Sequence, residues 1–284
     1  MIVSAIRINV GDYIETAIDW LTNHFAVFFD VVSKIIGGVI SGMENAFLFL
    51  PFWIVILILG ALAWWKAGKG ISIFTVIGLL FIYGMGYWTE TMQTLALVLA
   101  STVLALVAGI PLGIWAAKNR TADKIIRPIM DFMQTMPAFV YLIPAVLFFG
   151  LGKVPGAFAT VIFAMPPAVR LTRLGILQVP GDIVEASRAF GATRRQLLYK
   201  VQLPLATPTI LAGVNQTIMM SLSMVVIAAM IAAGGLGGVV LKGITQLKIG
   251  LGFEGGIAVV ILAIILDRIT QAFGSGAGGG AASN

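Results

Sequence analysis

Long apolar runs, each closed by a cluster of Lys, Arg or Gly, succeed one another from residue 47 to residue 271. A helix crosses the ~30 Å hydrocarbon layer of a bilayer in about 20 residues. Seven segments are long enough: 47–65, 71–88, 91–117, 128–150, 156–177, 204–232 and 252–271. The short 88–91 turn predicts that the second and third pack as a tight antiparallel pair. Upstream, Ile14, Ala17, Ile18, Leu21, Phe25, Phe28 and Val32 recur at helical spacing opposite Asp12, Glu15, Asp19 and Asn23. Residues 1–46 therefore read as an amphipathic segment, lying along the membrane or packed on the rest of the protein. Pro111, Pro137, Pro144, Pro166, Pro167 and Pro208 fall inside the apolar runs, and each removes a backbone donor, which predicts kinks or breaks. Gly109 and Gly113 form a small-residue contact pair. The Gly234–Gly238 run predicts an irregular, re-entrant or hinge-like outer loop, and residues 272–284 a flexible, uncharged tail.

Composition sharpens the class. Of 284 residues, 59% are hydrophobic and 11% charged, with a mean hydropathy of +1.02. Soluble domains carry roughly 25% charged residues, so this is an all-α polytopic membrane protein. The net charge of +6 does not point to nucleic acid, because the basic residues alternate between loops. One side of the membrane receives thirteen of the eighteen Lys and Arg, including Lys66, Lys69, Arg120, Arg194 and Arg268, and the other only five. The positive-inside rule places the first side in the cytoplasm, with the N-terminus outside and the C-terminus inside. No cysteine is present and His24 is the single histidine. That excludes thiolate chemistry, multi-His zinc sites and intramembrane enzymes built on His. No G-x-x-x-x-G-K-[ST] occurs, so the chain binds no ATP by that route.

One polar stretch interrupts the pattern: EASRAFGATRRQLLYKVQLP, residues 185–204. A typical connection takes about 4–6 residues, whereas the segment 180–204 is several times longer and well punctuated. Asp182 and Glu185 have the spacing of a capping box. Gly191 supplies a left-handed helix end, and Thr193 with Gln196 forms a second box. The order is helix, glycine elbow, helix, on the cytoplasmic face. Its first helix exposes Ile183, Val184, Ala186 and Phe190 beside Glu185 and Arg188. Such a piece serves either as an interfacial helix on lipid headgroups or as a rigid knob for a soluble partner.

Glu185-Ala186-Ser187, then Gly191, then Val201-x-Leu203-Pro204 resembles the EAA loop of ABC importer permeases, with Ser187 and Val201 as conservative departures. Residues 91–271 are similar to the five-helix core of a type I importer permease. Residues 133–149, 161–172 and 203–219 resemble its glycine betaine, proline betaine and choline branch, and two additional spans over 47–90 match that branch too. The resemblance implies an ATPase-coupling loop formed by Asp182, Glu185, Ala186, Ser187, Arg188, Gly191, Leu203 and Pro204. It implies cytoplasmic ABC ATPase subunits that carry ATP and Mg, with no cofactor on this chain. It also implies an extracytoplasmic substrate-binding protein and a second permease copy, a homodimer with the pathway between the copies. No chemistry is catalysed by the chain itself.

Polar residues on proline-interrupted spans are candidates for lining that pathway: Gln134, Thr135, Pro137 and Tyr141, and Asn215, Gln216, Ser221 and Ser223. Interhelical hydrogen bonds would explain each of them as well. Phe139, Tyr141, Phe148 and Phe149 offer aromatic faces to a quaternary ammonium group. A proton-coupled carrier would place an ionisable residue in mid-membrane, but Glu90, Asp131, Glu254 and Asp267 fall near span ends. A passive channel is disfavoured only by the polar loop, for which a channel has no use.

Overall fold

A computed structural model describes residues 10–278, all helical or connecting. Residues 1–9 of the expected N-terminal segment and 279–284 of the expected tail lie outside the described residues. The helices, in order, are α1 Val10–His24, α2 Ala26–Phe49, α3 Phe52–Ala67, α4 Lys69–Gly84, α5 Trp88–Lys118, α6 Arg120–Thr135, α7 Leu142–Phe149, α8 Lys153–Leu177, α9 Gly181–Ala189, α10 Arg194–Gln196, α11 Leu203–Ala229, α12 Gly235–Thr245 and α13 Ile249–Gly278. A 3-10 turn, Ala138–Tyr141, precedes α7, and a π-helical segment, Leu197–Gln202, joins α10 to α11.

The heart of the bundle is α5, α8 and α11, brought together through small residues. A methyl group on Gly109 would lie 3.0 Å from the Ala168 side chain, and one on Gly113 only 2.6 Å from the Val169 carbonyl oxygen. Without lipid–water partition to drive helix association, such close backbone approach supplies the contact energy. Gly213 of α11 packs on Leu171 and Pro167 of α8 in the same way. On the other flank α3 and α4 form a hairpin about Gly68, pinned by the Ser72 hydroxyl donating to the Gly60 carbonyl at 2.8 Å. Leu79, Ile82, Met92, Leu95, Leu262 and Ile265 fill the space between this hairpin, α5 and α13.

The two ends of the bundle differ in chemistry. At one, Phe52 stacks on Tyr83 with ring centroids 4.0 Å apart, and Trp88 meets both edge-on. At the other, Lys66 lies over the rings of Trp65 and Phe273; this is the basic end. Near the aromatic end the Tyr87 hydroxyl donates to Glu254 Oε2 at 2.6 Å. That bond, then burial, then the charges of Glu254 and Glu90 push the phenol up to about 12. The interaction is complete below pH 10 and lost as pH rises through about 12. An ultraviolet pH titration should find a phenol ionising there, absent from Tyr87→Phe.

Several expectations need correction. The second and third apolar runs are not a tight pair: after the Met85–Tyr87 turn α4 turns away from α5 to pack on α3 and α13, where Gly78 admits Ile261. The run 128–150 is not one continuous helix: α6 and the Ala138–Phe149 helix meet at 108°, a break at Pro137 as expected. Met136 and Pro137 are extended there, as the residue before a proline prefers to be. The remaining prolines break nothing. Pro166 and Pro167 run through an unbroken, buried stretch of α8, packed between α5 and α11. The Gly234–Gly238 run is not a loop. It starts α12, with Gly234 and Gly235 at positive φ and the Leu236 N–H donating to Thr94 Oγ1 at 2.8 Å.

The boundary at residue 46 cuts through α2, which has the length and hydropathy of a membrane span. Phe29 of α2 stacks on Phe148, and Glu44 pairs with Lys153 at 2.5 Å. These residues are about 22 Å apart along the helix, yet both reach the α7–α8 junction, so α2 lies across that junction. At the other terminus α13 continues to Gly278, past the expected start of the tail at 272.

Candidate functional site

At the basic end, α8 passes through Val179-Pro180 into the polar segment. Pro180 is the N-cap of α9 and no side chain caps it. The expected Asp182–Glu185 box is therefore absent. Pro180 already has helix-entry geometry, which moves Asp182 into the first turn, where its charge favours the positive helix end. The other end closes as the residues dictate. The Gly191 N–H donates to Arg188 O at 2.9 Å and the Ala192 N–H to Ser187 O at 3.0 Å, with Gly191 at φ +81°; this is a Schellman motif. Thr193 and Gln196 then cap each other reciprocally, at 2.8 and 3.3 Å.

Between this cap and α11 the helix widens. The Leu203 N–H donates to Leu198 O, five residues back. Pro204 follows directly, and its ring would collide with a carbonyl in a regular helix; the wider turn removes the collision. Leu198 is buried with Ile176 and Ala206, and Leu197 is buried as well, which roots the elbow in the bundle. By contrast, α9 has no buried residue. Phe190 is 93% exposed and Ile183 37%. Nine residues fall short of the ~12–15 that an isolated helix needs, so α9 has the character of a surface awaiting a cover. A concavity of 450 Å³ between Phe190, Gly191, Gln196 and Lys200 lies behind it. Glu185, Ala186 and Arg188 are exposed, Ser187 is half-buried, and Leu203 and Pro204 lie where α11 begins.

The pathway candidates divide. Thr135, Pro137, Gln216 and Ser223 are exposed, and Gln134 is half-buried. Tyr141 is buried, its hydroxyl donating to Met133 O at 2.5 Å. Ser221 is buried too, donating to Thr217 O and accepting from the Thr102 hydroxyl. Of the aromatic faces, Phe148 is taken up by Phe29, and Phe149 by Phe29 and Phe158; Phe139 is 53% exposed. The turn around Tyr141 packs on Met224 and Ile227 of α11, so the two candidate segments are neighbours.

Sequence reasoning missed two polar assemblies. Asp123 of α6 forks onto Arg173 of α8, at 2.5 Å to Nε and 2.8 Å to Nη2, and also meets Arg127 at 3.2 Å. Asp131 pairs with Arg170. These bonds strap α6 across the basic end of α8. Only the Asp123–Arg127 spacing is a local signal; the others join residues 39 and 50 positions apart. The second assembly joins α11 to α13: Asp267 accepts from Asn215 Nδ2 at 3.0 Å.

A sequence profile described as "Binding-protein-dependent transport system inner membrane component" matches residues 109–277. The chain is 55% identical to the glycine betaine transport system permease protein OpuAB of Bacillus subtilis (strain 168), over 93% of this chain and 94% of that one. It is 52% identical to the glycine betaine/proline betaine transport system permease protein ProW of Escherichia coli (strain K12), over 94% and 75%. Among solved structures, an inward-facing MetNI methionine ABC transporter superposes with a TM-score of 0.62 at 21% identity, over 67% of this chain and 95% of that chain. At that identity the likeness is one of fold.

Proposed function

Because the chain belongs to the family of binding-protein-dependent transport system inner membrane components, we propose that it is the permease of an ATP-driven importer of glycine betaine or a related quaternary ammonium solute. It forms the translocation pathway, and its basic end faces the cytoplasm. The observation that carries this reading is the exposed, glycine-closed elbow of α9 in a chain 55% identical to a glycine betaine permease along nearly its whole length. A channel has no use for such an elbow. The chain has no phosphate-binding loop of its own, so ATP and Mg belong to a separate ATPase subunit in whose cleft α9 sits. Burying one Phe side chain contributes roughly 1.5–3 kcal/mol, which makes Phe190 an anchor for that contact.

High-affinity capture belongs to an extracytoplasmic binding protein, and a second copy of this chain completes the pathway. The exposed Thr135, Gln216 and Ser223 and the half-buried Gln134 line it; a polar, shallow lining lets a solute leave as readily as it enters. Accumulation of such a solute would serve osmoprotection.

The test is reconstitution in liposomes with the ATPase and binding protein, measuring labelled glycine betaine uptake and ATP hydrolysis together. Both should rise more than tenfold when binding protein and solute are added. Full-rate downhill flux through the permease alone would replace this reading by a passive pore.

A further inference from the structure

An ionisable side chain inside a bilayer is expensive, and when present it marks a transport route or has a named partner. Asp123, Asp131 and Glu44 have such partners in Arg173, Arg170 and Lys153, and Glu254 has Tyr87. Asp267 differs. It follows Glu254 by thirteen residues in α13, about 20 Å along the axis. Its partner Asn215 precedes the end of α11 at Ala229 by fourteen residues, about 21 Å. Two independent helices thus place the pair at one depth, in the inner part of a hydrocarbon layer ~30 Å thick.

No cation neutralises Asp267 among the described residues. Arg268 is exposed, about 100° further round the helix, and makes no ion pair with it. Two amides hold the carboxylate instead: Asn215 Nδ2 at 3.0 Å to Oδ1, and Gln271 Nε2 at 2.8 and 2.9 Å to the two oxygens. Neutral donors fix its orientation without cancelling its charge. Beside it opens a cavity of 270 Å³ lined by Pro208, Leu211, Ala212, Asn215, Thr270 and Gln271. Pro208 and Ala212 are exposed on α11, and Gln216 follows one turn further on. The cavity therefore opens on the α11 face that carries Gln216, and it reaches Asp267 through the two amides that hold it, Asn215 and Gln271. Asn215 Oδ1 is buried there without a partner.

We propose that Asp267, oriented by Asn215 and Gln271, is a cation-recognising residue of the route, a transit contact for the quaternary ammonium group of the solute. The inference rests on the solute class proposed above. A carboxylate held by amides and paired with no cation attracts an onium head that cannot donate a hydrogen bond. Among the described residues no aromatic ring lines the cavity, which keeps the contact weak enough for release.

The test compares Asp267→Asn, Asp267→Glu and Gln271→Met in the full reconstituted complex. Asp267→Asn should lower glycine betaine uptake at least tenfold while solute-stimulated ATP hydrolysis stays within threefold. Asp267→Glu should keep at least a third of the uptake. Wild-type uptake in Asp267→Asn, or equal loss in the Asn and Glu variants, overturns the proposal. If Asp267→Asn fails to assemble, Gln271→Met decides: a two- to fivefold fall supports the role, and unchanged uptake overturns it. A wild-type complex that moves no glycine betaine counts against the solute assignment instead. Saturation-transfer NMR of tetramethylammonium with the permease in lipid discs then reads the carboxylate alone. A signal kept in Asp267→Glu and lost in Asp267→Asn supports it, and a signal indifferent to both sinks it.

Discussion

Gly191→Pro is expected to reduce ATP-driven uptake at least a hundredfold while the protein still inserts and purifies as a membrane protein. Gly191 holds φ at +81°, whereas a proline ring holds it near −65°. The Gly191 N–H that bonds Arg188 O disappears as well. Both bonds of the Schellman closure depend on that geometry, so α9 leaves its angle to α10. The bundle is untouched, because α9 buries no residue in it. No heavy atom stands within 4 Å of where a Cβ would lie on Gly191. The effect is therefore conformational and not steric, and a graded series separates the two. Asparagine tolerates the left-handed region and should retain most uptake; valine does not and should fall close to proline. Equal activity for Gly191→Asn and Gly191→Pro would remove the elbow from the mechanism.

Gly113→Val should act on the bundle instead. A Cβ there meets the Val169 carbonyl oxygen at 2.6 Å and Thr172 Cβ at 2.7 Å, and backbone atoms of a buried helix cannot rotate aside. Overpacking typically costs about 1–3 kcal/mol; a branched side chain against backbone belongs at the upper end. Detergent-solubilised protein should then unfold at a lower temperature and lose its monodisperse peak. Gly250→Val serves as a control, since nothing stands within 4 Å of that position. Equal thermal stability of the Gly113 and Gly250 variants would mean that α5 and α8 tolerate separation.

The sequence carries most of what depends on neighbours along the chain, although the Asp182–Glu185 box, equally local, gives way to Pro180 as the N-cap. The left-handed Gly191, the Thr193–Gln196 box and the basic end are each written within a few residues. Contacts made at a distance are not. Asp123 shows its i+4 partner Arg127 but not the fork to Arg173, and Asp267 gives no hint of Asn215, 52 residues away. Proline misled for a related reason. Its missing donor is local, whereas the packing that keeps α8 continuous through Pro166 and Pro167 comes from helices remote in the chain. Glycine misled at α12, where Thr94 of α5 bonds the Leu236 N–H and turns an apparent loop into a helix start.

The widened turn at Leu197–Gln202 gives the chain a clutch. A π segment holds one surplus residue relative to an α-helix of the same height. Tightening it expels that residue, which turns everything before Leu197 by about 100° and shifts it by about 1.5 Å relative to α11. A single alanine inserted in or deleted from this stretch is therefore expected to swing α9 about 100° around the axis of α11 while the bundle stays as it is.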